Sequence, residues 1–178
     1  LAAVIDITKR YNAESYPIIY GEGRMKNEEL EIYGFMPTDI YEQNWPMSEM
    51  NKHTWYDINR EGFVFVNEQF SHEKKLGVGD SFQFQANGKK FEKIISGVYP
   101  DYGNSKDQIM MSMKAFSSIF PEKTPNTLAI KIDENLFSPL MNALLESGNI
   151  NYGTIINEKK VKEVSLKIFD NTFKISFQ

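Results

Sequence analysis

The spacing of apolar and polar positions changes along the chain, and each change marks a new element. In residues 1–11 the apolar side chains recur with helical spacing, which predicts an amphipathic helix. Pro17 favours an extended backbone, so residues 17–20 predict a short strand that ends at the turn Gly21-Glu22-Gly23. Residues 30–35 alternate between apolar and polar side chains and predict the strand that returns from this turn.

Residues 37–60 are the least regular part of the sequence, with aromatic residues and methionines set among polar ones. We expect a long connection there, with short helical turns whose aromatic side chains cover a core. The run Phe63-Val64-Phe65-Val66 then predicts a strand that is buried on both faces. Asn67 is a good N-cap for a helix over residues 68–76, and Gly77 is predicted to end that helix in a left-handed conformation.

Residues 81–86 alternate strictly between polar and apolar side chains, which is typical of a half-buried strand. The pair Asn87-Gly88 follows and strongly favours a two-residue hairpin, because both residues accept positive φ angles. The predicted partner strand covers residues 89–99 and places Phe91 opposite Phe84. The sequence then predicts a further strand over residues 108–113. It also predicts a short helix over residues 115–120, which ends at Pro121.

The last third of the sequence predicts a strand, a helix, a second strand and a second helix. The first strand covers residues 127–132, and Ser138-Pro139 is predicted to open the helix that follows, with proline at its first position. Residues 152–156 predict the second strand. From Glu158 onward, apolar residues fall roughly on one face of a final helix. The residues on this face are Val161, Val164, Ser165, Ile168, Phe169 and Phe173.

The order of these elements predicts an α+β fold in two parts. Strands and helices at the two ends of the chain form one subdomain, residues 1–36 with 126–178. Residues 37–125 form a β-rich subdomain inserted into it. A chain of 178 residues is long enough to bury a core of its own without a metal or a disulfide.

The amino-acid composition of the chain argues against several classes of function. The net charge of −4 and the pI near 5.3, without a basic cluster, argue against a nucleic-acid partner. The sequence has no cysteine, which excludes disulfides, thiol catalysis and cysteine-based zinc sites. No apolar stretch approaches the roughly 20 residues of a membrane span, and no secretory signal opens the chain. Because it starts at Leu1 inside a helical pattern and stops at Gln178, we expect it to be a segment of a longer protein.

Little in the sequence carries catalytic chemistry. His53 and His72 stand in unrelated contexts, and neither has a second histidine four residues away. No serine lies in a Gly-x-Ser-x-Gly elbow. Glu28, Glu29 and Glu31 have the composition of a carboxylate pair, but a solvated strand edge explains them better. We predict that the chain is not an enzyme and has no catalytic residues, cofactor or metal.

Aromatic and methionine residues are the remaining candidates for a binding surface. Trp45, Trp55 and Tyr56 either line a groove for a ligand or partner, or are buried as a lid; with Tyr102 they are our candidate contact residues. Met110, Met111 and Met113 favour a role in filling the core over an adaptable apolar surface.

One stretch resembles a known family. Residues 61–68 are followed by a short helix, then by Leu76-Gly77-Val78-Gly79-Asp80, a hairpin, and the segment from Ile95 through Gly97 to Gly103. This block is similar to one in MacB/FtsX-like ABC transporter permeases. Residues 168–176 resemble the helix that leads into a membrane span in this family, and residues 1–11 resemble the helix that leaves the preceding span.

The resemblance implies the extracytoplasmic domain of a permease, the MacB-like periplasmic core. Such a domain has a membrane-proximal, porter-like strand–helix subdomain and an inserted β-rich, Sabre-like subdomain, with both chain ends at the bacterial inner membrane. The implied partners are a cytoplasmic ABC ATPase, a second permease copy, and a periplasmic protein, peptide or lipoprotein. ATP hydrolysis would then drive the outer domain by mechanotransmission, with the two terminal helices as rigid levers.

Two other functions stay open at the level of sequence. The main alternative is a free-standing secreted domain that binds a ligand in an aromatic-lined groove. The other is an enzyme whose active site is assembled from dispersed residues.

Overall fold

A computed structural model describes residues 2–101, 106–125 and 127–148, together with the backbone of residues 155–156 and 172–176. Within these residues the helices are α1 (Ala2–Arg10), α2 (Asp39–Asn44), α3 (Thr54–Asp57), α4 (Glu68–Lys74), α5 (Met113–Ile119) and α6 (Glu134–Glu146). The strands are β1 (Glu14–Met25), β2 (Glu28–Phe35), β3 (Phe63–Asn67), β4 (Ser81–Ala86), β5 (Lys89–Tyr99), β6 (Gln108–Ser112), β7 (Thr127–Lys131), β8 (Ile155–Ile156) and β9 (Thr172–Ser176).

The chain divides into two compact units. The terminal unit comprises Leu1–Ile18 and Pro125–Gln178, and the inserted unit comprises Ile19–Thr124. The first boundary therefore lies between Ile18 and Ile19 and not after residue 36 as predicted. The reason is that β1 does not stop at its glycines, and β2, which returns from it, pairs with β6 of the inserted unit.

In the described part of the inserted unit, six strands pair around a closed circuit, which we call the barrel. Its order is β2-β6-β3-β5-β4-β1, and β1 pairs again with β2. The pairs β2–β6 and β3–β5 are parallel, whereas β3–β6, β4–β5 and β1–β4 are antiparallel. Closure leaves fewer exposed strand edges than an open sheet of the same size would have.

The hairpin between β4 and β5 follows the sequence prediction. Asn87 and Gly88 have φ angles of 51° and 75°, the left-handed conformation that a tight two-residue turn requires. Phe84 lies opposite Phe91 in the register, with ring centroids 5.8 Å apart. The buried side chains of β4 alternate with its exposed ones, as its sequence pattern indicates.

The first hairpin differs from the prediction. Gly21 and Gly23 lie inside β1, and the turn is at Lys26 and Asn27, which have φ angles of 50° and 68°. The two glycines serve close packing: a Cβ on Gly21 would lie 2.5 Å from the ring of Phe120, and one on Gly23 would lie 2.8 Å from the carbonyl oxygen of Gln85. Glycine at these positions therefore allows close approach and not chain reversal.

Helix α4 confirms the predicted cap but not the predicted end. The Asn67 side chain accepts a hydrogen bond from the backbone N–H of Phe70 at 3.1 Å. The left-handed residue at the C-terminus is Lys75, with φ of 56°, and not Gly77. Ser71 explains the earlier stop, because its carbonyl oxygen accepts from the N–H groups of Lys75 and Leu76 and so closes the last turn.

The core of the inserted unit fills the barrel with aliphatic and aromatic side chains. Met111 is 0% exposed and belongs to this cluster, and Met113 packs against it. Met110 is 1% exposed and is also a core residue, so these methionines fill the core. Other members of the cluster are Leu30, Ile32, Val64, Val66, Phe70, Phe82, Phe84, Ile95, Ile109 and Phe116.

The terminal unit is an antiparallel sheet with helices. Residues Glu14–Ile18 of β1 pair with β7, β7 pairs with β9, and β9 pairs with β8. Helices α1 and α6 contribute Val4, Leu140 and Leu144 to a core shared with β7. Helix α6 begins at Glu134, one turn before the predicted start, so Pro139 lies inside it. Packing of the first turn against this core offsets the hydrogen bond that proline cannot donate.

The predicted final helix is wrong for residues 172–176. They form β9, in register with β7 from Thr127 opposite Ser176 to Lys131 opposite Thr172. The sequence Thr-Phe-Lys-Ile-Ser alternates with period two and is rich in β-formers, which favours a strand once a partner strand is present. The predicted helical residues 161–169 lie outside the described part of the chain.

Among the helices that the structure describes, none combines the length and the apolar character that crossing a lipid bilayer requires.

Candidate functional site

An aromatic cluster lies under the irregular segment of the inserted unit. Trp45 is its centre, with ring centroids 5.1 Å from Tyr99, 5.5 Å from Phe65 and 6.0 Å from Trp55. Trp45 and Trp55 are only 2% and 9% exposed. Phe35 and Tyr41 complete the cluster.

The four residues that we proposed for partner contact differ in their exposure to solvent. Trp45 and Trp55 are core residues and do not line an open aromatic groove. Tyr56, next to Trp55 in α3, is 70% exposed. Tyr102 lies outside the described residues. Of the four, Tyr56 alone is shown at the surface.

The surface beside Tyr56 is held in place by local hydrogen bonds. The Asn51 backbone N–H donates to Oγ1 of Thr54 at 2.9 Å, and the His53 N–H donates to Oδ1 of Asn51 at 2.8 Å. Met50, at 53% exposure, lies in the same segment. Tyr56 and Met50 are thus two exposed apolar side chains on a segment that its own polar side chains order.

A polar junction connects α4 to β2 and to the start of β6. The Lys74 ammonium pairs with the carboxylates of Glu28 and, at 3.4 Å, of Asp107. The ion pair lowers the pKa of Glu28 and raises that of Lys74, chiefly through the hydrogen bond between them. Glu73 brings a third carboxylate close to the other two. Sequence reasoning missed this junction because its members are far apart along the chain.

The three carboxylates of the junction have ligand atoms within 4.8 Å of one another, a spacing that a metal ion could use. The Lys74 ammonium already supplies a cation to Glu28 and Asp107. The arrangement is therefore explained as an ion-pair network.

An acidic cleft of about 480 Å³ lies at the start of α4. Glu49, Glu68, Glu73 and Asp101 line it together with His72. Burial raises the pKa of Asp101, and the nearby negative charges of Glu68 and Asp107 act in the same direction. A backbone N–H of Gln69, 2.9 Å from Oδ1 of Asp101, partly opposes this rise.

A second cleft, of about 580 Å³, lies between the β1–β2 and β4–β5 hairpins. The β1–β2 hairpin gives it Tyr20, Glu22, Arg24 and Glu29, and the β4–β5 hairpin gives it Lys89 and Lys90. We call it the opposed-charge cleft, because Glu22 and Glu29 come from one hairpin, and Lys89 and Lys90 come from the other. Glu31 and Lys106 also line it.

Tyr20, which lines this cleft, contacts one aromatic residue and one acidic residue. Its ring packs against Tyr33 at a centroid distance of 5.2 Å, and its hydroxyl donates to Oε1 of Glu22 at 3.4 Å. Burial, followed by the negative charges of Glu31 and Glu22, raises the pKa of Tyr20 to about 12. The phenol is therefore neutral at physiological pH, able both to donate and to accept a hydrogen bond.

Comparisons with known proteins give one result for the sequence and another for the fold. No family model matches the sequence, and no curated protein sequence matches it. The structure is similar to the extracellular domain of the noncanonical ABC-type transporter YknZ from Gram-positive bacteria, with a TM-score of 0.54 and 9% identity over 82% of this chain and 83% of that one. The fold is the same.

A second similar structure is the periplasmic region of MacB from Actinobacillus actinomycetemcomitans. Its TM-score is 0.52 at 12% identity, over 82% of this chain and 72% of that one. The α+β fold that the resemblance implied is therefore confirmed. At these identities the comparison establishes the fold, which this chain shares with the extracellular domain of YknZ and the periplasmic region of MacB.

Proposed function

We propose that the chain is the extracytoplasmic domain of an ABC transporter permease, held outside the bacterial inner membrane. The observation that carries the proposal is the shared fold with the YknZ and MacB domains over 82% of the chain. The segment from Glu61 to Gly103, on which the sequence resemblance rests, supplies strands β3, β4 and β5 of the barrel and helix α4.

In this proposal a cytoplasmic ATPase hydrolyses ATP and a permease dimer transmits the resulting motion to the outer domain. The domain itself does no bond-making chemistry. Its role is to contact an exported substrate, a lipoprotein or another extracytoplasmic partner, with Tyr56 as the exposed aromatic contact. The burial of Trp45 and Trp55 weakens the alternative of a secreted ligand-binding domain, because that alternative needs them in an open groove.

The mechanism in which both terminal helices act as rigid levers needs revision. Helix α1 is present and suits a rigid lever, because its internal hydrogen bonds resist bending. At the other end, residues Thr172–Ser176 form a strand paired with β7. We propose that motion enters through α1 on one side and through β9 and its sheet on the other. Strand β1, whose residues belong to both units, continues the chain from the terminal to the inserted unit.

Cysteine labelling in the native full-length protein tests the side of the membrane. The segment has no cysteine of its own, so Tyr56→Cys introduces a single exposed thiol into it. With the rest of the protein also cysteine-free, we expect a charged maleimide that does not cross the cytoplasmic membrane to label Tyr56→Cys in intact cells.

Ser96→Cys is the matched control, because Ser96 is 2% exposed and the substitution changes one atom. It should react only after denaturation. Labelling of Tyr56→Cys that requires permeabilisation of the cytoplasmic membrane would place the domain inside the cell and end the proposal. Co-purification of the native protein with an ATPase tests the partner separately.

A further inference from the structure

The opposed-charge cleft differs from an ordinary charged surface in the way its charges are arranged. Carboxylates of Glu22 and Glu29 come from the β1–β2 hairpin, and ammonium groups of Lys89 and Lys90 come from the β4–β5 hairpin. Arg24 also lines the cavity from the first hairpin, and its Nη1 donates to the carbonyl oxygen of Asn27 in that hairpin's own turn, at 3.5 Å. The two carboxylates and the two lysines thus face the same cavity from two walls. An exposed surface of mixed charge has no such separation into walls.

The charges of Glu22, Glu29, Lys89 and Lys90 do not neutralise one another. In the described part of the chain, none of these four side chains belongs to an ion pair within 4.0 Å. The two carboxylates and the two ammonium groups therefore keep their capacity to pair with charges that enter from solvent.

Both walls of the cleft are preformed. Each hairpin ends in a two-residue turn with both residues at positive φ, Lys26-Asn27 in one and Asn87-Gly88 in the other. The strands behind these turns meet where Gly23 pairs with Ala86. Since Gly23 has no side chain, β1 approaches β4 closely there, which fixes the distance between the walls. A preformed cavity lowers the entropic cost of binding.

The volume and lining limit the class of ligand. A cavity of about 580 Å³ lies within the range of roughly 300–1,000 Å³ that small-molecule sites occupy. A purely anionic ligand would be repelled by the carboxylate wall, and a purely cationic one by the lysine wall. A molecule with both charges satisfies both walls at once.

We infer that the opposed-charge cleft binds a small zwitterionic molecule, with its anionic group at Lys89 and Lys90 and its ammonium group at Glu22 and Glu29. Tyr20 lies at the acidic wall as a neutral hydroxyl, where it donates or accepts a hydrogen bond beside the ammonium. This inference concerns the surface of the inserted unit and does not depend on the proposed role in a transporter.

A peptide series with defined ends tests the inference. The full 178-residue chain, labelled with ¹⁵N, is titrated at low salt with di- to hexaalanine carrying free termini, and the tightest length is kept. We expect backbone amide shifts centred on Gly23, Gly88 and Lys89. Acetylating the amino end or amidating the carboxyl end should each weaken binding about 2- to 5-fold, the size expected for an exposed ion pair.

Variants assign each end of the ligand to a wall. Lys89→Gln/Lys90→Gln should weaken the free peptide by a similar factor and leave the amidated peptide unchanged. Glu22→Gln/Glu29→Gln should weaken the free peptide and leave the acetylated peptide unchanged. Lys52→Gln and Glu92→Gln are exposed controls outside the cleft and should have no effect on any peptide.

Two results overturn the inference. One is equal affinity for free, acetylated and amidated peptides, which would show that the terminal charges are not recognised. The other is the absence of shifts at the cleft with millimolar peptide of any length. Because the measurement uses soluble chain and synthetic peptide, either result leaves the cysteine-labelling test of the membrane side unaffected.

Discussion

Trp45 combines complete burial with an indole N–H that makes no hydrogen bond. Its Nε1 is a buried side-chain nitrogen without a hydrogen-bond partner in the described structure. The rings of Phe35 and Phe65 stand nearly perpendicular to it, at 80° and 81°. Edge-to-face contacts of this kind are favourable for aromatic pairs. The ring therefore contributes by packing, without a hydrogen bond from its nitrogen.

This predicts a large difference between two substitutions at Trp45. Trp45→Ala should lower the free energy of unfolding by about 3–5 kcal/mol through the cavity it leaves. Trp45→Phe keeps a ring and loses no hydrogen bond, so about 1–2 kcal/mol is expected. Denaturant titration measures both, with the exposed Tyr56→Ala as a control that should stay within about 0.5 kcal/mol. A Trp45→Ala cost near that of the control would mean that the aromatic cluster is not a core.

Asn67 connects several elements at the start of α4. Besides capping the helix, its Oδ1 accepts from the Gln108 backbone N–H at 3.1 Å, and its Nδ2 donates to the Lys106 carbonyl oxygen at 2.8 Å. The side chain is fully buried. One residue thus joins β3, α4 and the start of β6.

Asn67→Ala should therefore cost more than the loss of an ordinary cap. We expect roughly 3 kcal/mol, since the cap itself contributes about 1 kcal/mol and buried partners lose their hydrogen bonds as well. Ser112 provides the comparison: it caps α5 by accepting from the Ala115 N–H at 3.1 Å, and Ser112→Ala should cost about 1 kcal/mol. Denaturant titration measures the free energy of unfolding of both variants. An equal loss in the two would show that the hydrogen bonds from Asn67 to residues 106–108 add nothing to stability.

At the scale of the whole molecule, the inserted unit has what an independently folding domain needs. Its strands close their own barrel, and its hydrophobic cluster runs from Ile19 to Phe120 without a member from the terminal unit. Burial of one contiguous core is the main favourable term in folding.

We predict that residues 19–124, expressed alone, fold cooperatively. The isolated unit should give a dispersed ¹H–¹⁵N spectrum and a single unfolding transition in denaturant. The same residues carrying Phe65→Asp, which buries an unpaired charge, serve as the unfolded control. A collapsed spectrum for the unmodified unit, indistinguishable from that control, would show that the barrel needs the terminal unit to form.

The sequence by itself determined the elements whose signals are local. Strict alternation marks β4, Asn87-Gly88 marks its hairpin, and Asn67 marks the start of α4, because each signal acts within a few residues of the backbone it shapes. The α+β class followed from the order of such elements.

Tertiary structure decided what depends on partners distant in sequence. Residues 172–176 form a strand because β7 offers a partner, and β1 extends through Gly21 and Gly23 because β4 pairs with it at Gly23 and Arg24. Lys74 meets Glu28 across 46 positions of sequence. The two walls of the opposed-charge cleft likewise come together only when the barrel closes. The energy of pairing between strands that are distant in sequence leaves no pattern in a short window of sequence. These features can therefore be identified only in the folded structure.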